Sequence, residues 1–157
     1  ERHYRRSFDG SCLNGLTKKP GGFEISGTAL RERSTVKHHR TATLIPRYGL
    51  RVLDVVEGNK HGFSIWWQVG QRFAPEQAST RQVDLKSSLS TLSVKVSAGC
   101  EFAVHKGVRQ PRLLGWRSFD LNKLVPAVAL EARCSATTKW IQTHFEGAPA
   151  VEAIIPN

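Results

Sequence analysis

The run Val36-Lys37-His38-His39-Arg40 sets two imidazoles between a lysine and an arginine. Imidazole titrates near neutral pH and can act as acid, base or metal ligand. Catalysis also needs a group that orients the ring, and no carboxylate stands beside these two in sequence. Histidines flanked by cations suit contact with phosphate instead. The carboxylates Asp54, Glu57 and Glu101 would make a glycosidase-like acid pair only if two of them faced each other across a cleft. Their ordinary reading is surface charge that balances a basic protein. The third feature is aromatic. In "GFSIWWQVG" (residues 62–70), Phe63, Ile65, Trp67 and Val69 share one face of a strand, which leaves Trp66 with Ser64 and Gln68 on the polar face.

His39-Arg40-Thr41 resembles one half of the paired His-x-Thr signature of two-histidine phosphoesterases. The second half is missing, because neither His105 nor His144 has Thr or Ser two residues on. The chain also carries no Walker loop, Rossmann fingerprint, HExxH, GxSxG or EF-hand loop, so no catalytic residue, cofactor or metal is expected. Cys12, Cys100 and Cys134 include no CxxC pair, which disfavours a structural zinc site. Three inert thiols in a reducing compartment are the favoured reading, with one disulfide plus a free thiol as the alternative.

What remains is cationic. The formal net charge is +10, and it is uneven: residues 1–51 hold 11 Lys and Arg against 4 Asp and Glu. Arg2, Arg5, Arg6, Lys18 and Lys19 crowd the N-terminus, and Arg31, Arg33, Lys37, His38, His39 and Arg40 continue the series. Cations contact phosphates and flat rings stack on bases, so these residues together with Trp66 are the candidate nucleic-acid-binding set.

These groups must be positioned by a folded domain. Hydrophobic residues make up 39% and charged residues 23%, a balance that excludes disorder. No apolar run approaches the roughly 20 residues of a membrane-spanning helix. With no methionine, even at position 1, the chain reads as a processed or excised product. Residues 1–22 read as a basic N-terminal arm and loop, and 23–157 as a single β-rich domain. Strands are expected at Phe23–Leu30, Thr41–Ile45 and Leu50–Val56. The last of these should form a hairpin with the tryptophan strand through Gly58-Asn59-Lys60-His61-Gly62. From Leu92 to Val104 every even position is apolar, which predicts one long strand, or two joined by a bend near Gly99 without a change of face. Lys139–Phe145 reads as a strand and Ala150–Ile155 as an edge strand. Asp120–Cys134 reads as a helix, capped by Asp120 or Asn122, with Pro126 in its first turn. The expected fold is mainly β: an antiparallel sandwich or barrel of about six to eight strands with one short α-helix near the C-terminus.

A basic arm ahead of a compact β domain points to a non-enzymatic, RNA-associated structural protein. It would be a subunit of an organellar ribosome-like ribonucleoprotein or of a small RNA-virus coat. Its partners would be RNA or another polyanion and other protein subunits, inside an organelle or virus particle rather than secreted. The alternative is a secreted β-sandwich that binds carbohydrate or protein, with the charge serving acidic glycans. A third reading is a small hydrolase with a histidine-based site.

Overall fold

The computed structural model describes residues 12–30, 35–46, 49–120 and 123–149. Thirteen strands follow one another, with no helix among the described residues. In chain order they are β1 (Cys12–Lys19), β2 (Gly22–Leu30), β3 (Lys37–Ile45), β4 (Gly49–Glu57) and β5 (Phe63–Val69). Next come β6 (Ala74–Ser79), β7 (Gln82–Lys86), β8 (Ser90–Val96) and β9 (Cys100–Lys106). The last four are β10 (Trp116–Asp120), β11 (Lys123–Pro126), β12 (Val128–Cys134) and β13 (Trp140–Pro149). Eight form one sheet in the order β1-β2-β3-β4-β13-β8-β7-β6, β5-β12-β9 form a second, and β10-β11 a small third. Every neighbouring pair is antiparallel.

The two larger sheets pack face to face. Val83, Leu85, Val94, Val96 and Ile141 of the first meet Ile65, Phe102, Val128, Leu130 and Ala132 of the second in one buried cluster. This is a β-sandwich, and the alternating pattern that predicted it is real. The even-numbered apolar positions from Leu92 to Val104 fall on two strands, β8 and β9, in different sheets. Gly99 turns the chain between them at φ +86, and an added Cβ there would stand 2.8 Å from Thr138 Oγ1. Val94, Val96, Cys100 and Phe102 all stay buried across that bend.

Three expectations need correction. The helix at Asp120–Cys134 is absent: β10 closes with β11, and Val128–Cys134 is the central strand of the second sheet, paired with β5 and β9. Alanine favours helices, but a strand hydrogen-bonded on both edges and buried on both faces overrides that preference. The small side chains of Ala127, Ala129 and Ala132 are themselves at most 5% exposed. The Leu50–Val69 hairpin is absent too. β4 pairs with β3 and β13 while β5 pairs with β12, so the Gly58–Gly62 turn carries the chain from one layer to the other. Turn residues announce a reversal, but they do not select which strand receives the hydrogen bonds. Lastly, residues 12–19 are not loop but β1, paired along its length with β2. With β6, β7, β10 and β11, which are four to six residues long, it lifts the count above eight. The expected edge strand Ala150–Ile155 lies outside the described residues. No helix of the described residues is long and apolar enough to cross a membrane.

Candidate functional site

The register of the second sheet assembles a polar cluster on its outward face. Opposed residues of antiparallel strands share a face. Trp66 stands opposite Glu131 and Ser64 opposite Arg133 on one side of β12, and His105 stands opposite Ala129 on the other. Because Val128, Leu130, Ala132 and Cys134 fill the core, Glu131 and Arg133 must point the other way.

Glu131 is the hub. Only 3% exposed, it accepts hydrogen bonds from Ser64 Oγ (2.8 Å), His105 Nε2 (2.8 Å) and Arg133 Nε (2.9 Å). Arg112 Nη2 lies 4.0 Å from Oε1, the oxygen that accepts from Ser64. Burial pushes the Glu131 carboxyl up, but the bonds from Arg133, Ser64 and His105, with the charge of Arg133, outweigh it and hold the group below its usual range. A buried carboxylate kept ionised in this way fixes the side chains around it.

Trp66 is half-buried beside this hub. Its ring lies 5.3 Å from the His105 ring at a 31° tilt, and the Arg112 guanidinium stands 5.7 Å from its centroid. Arg112 rides on the connection from β9 to β10. Val108 bridges Leu114, Trp116 Nε1 donates to Val108 O at 2.7 Å, and Arg109 stacks 5.0 Å from the Trp116 ring. Gly115 is required there. It sits at φ +67, with His105 O 2.5 Å from where a Cβ would be. The result is an aromatic surface bordered by an imidazole and two guanidiniums, each held by a neighbour. Such a surface stacks on flat or ring-shaped groups and donates hydrogen bonds to anions.

The sequence-predicted residues are only partly brought together. Arg2, Arg5, Arg6, Arg31 and Arg33 lie outside the described residues. Lys18 and Lys19 end β1, with Lys19 Nζ 3.5 Å from Glu24. Lys37 is exposed at the start of β3. His38 and Arg40 face the buried carboxylate of Asp54, both at 2.6 Å, and Arg40 also stacks 4.5 Å from the Trp67 ring. His39, on the opposite face, meets Thr28 Oγ1 at 2.9 Å and Glu57 at 3.8 Å. His38, His39 and Arg40 of β3 are therefore each directed at an acid of this same chain. Trp66 belongs to the other sheet and points away from them. His105, Glu131, Arg133 and Arg112 were missing from the expected set. Period-2 alternation places His105 on the polar face with Glu101, but the helix reading of Asp120–Cys134 hid Glu131 and Arg133.

Cys100 and Cys134, register partners on β9 and β12, form a disulfide. This corrects the expectation of three free thiols. Alternation placed Cys100 correctly in the core, but only the pairing of β9 with β12 brings Cys134 opposite it.

No protein-family model matches the chain, and no curated protein matches it. Solved structures do. The heparan sulfate lyase HepC of Pedobacter heparinus is similar over 91% of this chain, with a TM-score of 0.72 and 14% identity. A heparinase III gene product is similar over 88%, with a TM-score of 0.67 and 11% identity. The chain spans only about a fifth of the length of either, 22% and 21%. At these identities the likeness is one of fold.

Proposed function

We propose that this β-sandwich is a non-catalytic module that binds an acidic polysaccharide, through the Trp66 face of its smaller sheet. The observation that carries this reading is the half-buried Trp66 ring bordered by His105 and Arg112, with Arg133 one step along β12. A sugar ring stacks on the indole, and its sulfate or carboxylate groups take the exposed Arg112 guanidinium, whose planar fork matches an anionic oxygen pair. Two further facts support it. The fold resembles that of about a fifth of a heparan sulfate lyase and of a heparinase III gene product. The Cys100–Cys134 disulfide suits an oxidising, extracytoplasmic compartment. RNA gains no comparable support, since neither the comparisons nor the β3 cations favour it.

The test is a titration of the chain with heparin oligosaccharides, and with an RNA oligonucleotide of matched charge. Heparin should bind with an affinity that falls steeply as salt rises, because the contacts are ionic. Trp66→Ala should weaken that binding by about 1.5 kcal/mol, roughly tenfold, while changing the melting temperature little. Trp67→Ala should do the reverse. Its ring packs edge-on against Phe145 at 5.0 Å, so truncation should cost about 2–3 kcal/mol of stability, below the full core value because Trp67 is only partly buried. RNA bound more tightly than heparin, or heparin binding indifferent to Trp66→Ala, would reject the proposal.

A further inference from the structure

We infer that a cleft at the end of the smaller sheet, lined by Arg81, Glu101 and Arg133, is a second subsite for the same ligand, taking one further anionic sugar. The inference rests on the polysaccharide reading above. The cleft has a volume of about 540 Å³ and is completed by Thr80, Ser135 and the Cys100–Cys134 pair.

Its walls are fixed from several directions. The turn from β6 to β7 is pinned against the link between the sheets. Phe102 N donates to Thr80 O at 2.7 Å, and Val96 N donates to Arg81 O at 3.0 Å. Gln77 Nε2 adds a bond to Phe102 O at 3.3 Å. On the other side, Gly99 O accepts from Ser135 N and from Thr138 Oγ1, each at 3.2 Å. The disulfide joins β9 to β12 beneath. A cleft built this way is organised before any ligand arrives, which lowers the ordering cost of binding.

The lining has two chemistries. Arg81 is exposed, and among the described residues its guanidinium has no carboxylate partner, unlike Arg40 and Arg133. It is free to take a sulfate or a uronate carboxylate. Glu101, opposite Arg133 in the β9–β12 register, would repel a second anion but accepts hydroxyl donors, as do Thr80 and Ser135. Hydroxyl recognition beside one guanidinium not already paired with a carboxylate describes a sugar carrying one acidic substituent better than a run of phosphates.

The cleft is continuous with the Trp66 face through Arg133. Trp66 stands opposite Glu131, and Arg133 is the next same-face residue on β12, about 7 Å further along. A ligand that reaches both is therefore an oligomer.

The experiment compares a heparin disaccharide with a heparin octasaccharide by calorimetry, on the unaltered chain, Arg81→Ala and Trp66→Ala. Arg81→Ala should weaken the octasaccharide about tenfold, the loss expected for one charge-assisted contact, and leave the disaccharide unchanged. Trp66→Ala should weaken both. An octasaccharide affinity indifferent to Arg81→Ala overturns the subsite while leaving the Trp66 platform standing. Equal weakening of both ligands by Arg81→Ala also overturns it, since that reports general charge and not a local contact. If the unaltered chain binds neither saccharide, the polysaccharide reading fails and the subsite with it.

Discussion

Arg40→Met is expected to destabilise the protein by roughly 3–5 kcal/mol, more than Asp54→Asn does. The difference comes from who is stranded. Asp54 is 0% exposed, on the inner face of β4, and its carboxylate takes Arg40 Nε at 2.6 Å, Arg40 Nη2 at 3.1 Å and His38 Nε2 at 2.6 Å. Removing Arg40 leaves a buried anion with one remaining partner. Removing the charge of Asp54 leaves Arg40 and His38, whose side chains are 38% and 32% exposed and turn readily toward water. Methionine keeps the apolar stem but loses the guanidinium that stands 4.5 Å from the Trp67 ring centroid, so the measured loss includes that cation–π contact as well as the ion pair. Denaturant unfolding of both variants and of the double variant checks the asymmetry. The double variant should recover much of the Arg40→Met loss.

The same cluster sets a pH dependence. Burial pushes the Asp54 carboxyl up, but hydrogen bonds and charge from His38 and Arg40 outweigh it and hold the group below its usual 3.8. A carboxyl depressed on folding contributes stability that is fully present above its unfolded value, near 3.8, and is lost as pH falls through the folded value. In Arg40→Met the depression weakens, so acid unfolding should begin at a higher pH than in the unaltered chain. An identical acid midpoint in the two proteins would remove Asp54 as the group responsible.

How far the sequence reveals this architecture depends on the range of the signal. Alternation is local, and it placed Leu92–Val104, Trp66, Trp67 and Glu101 on the faces they occupy. Pairing is not local. Nothing between Leu50 and Val69 says that β4 should join β13 while β5 joins β12, because that choice is made by strands roughly 60 to 95 residues later in the chain. The alanines of Val128–Cys134 pointed to a helix for the same reason. Their strand conformation is imposed by two neighbours absent from any short window. The candidate site suffers most. Trp66 was legible as an aromatic on a polar face, but Glu131, Arg133 and His105 become a site only through the register of three strands. The cationic series shows the converse limit. Lys37, His38 and Arg40 are conspicuous in sequence, and two of them turn inward to a carboxylate that only the β3–β4 register supplies.

The disulfide depends on the same register, and its removal should be the other large effect. Cys100 and Cys134 are separated by 34 positions in the chain. Closing a loop of that length removes unfolded-state entropy worth roughly 4 kcal/mol. The Cys100→Ala, Cys134→Ala variant should lose about that much, and alanine leaves no polar atom in the core. A small cavity adds to the loss, since both cysteines are at most 6% exposed. Reduction separates the two contributions. A thiol reductant acts only on the cross-link, so it should lower the melting temperature of the unaltered chain and leave that of the double variant unchanged. If reductant changes neither protein, the two sulfurs are not bonded in solution. The support that an oxidising compartment lends to the polysaccharide reading would then be gone, which leaves that reading to the Trp66 face and the likeness of fold.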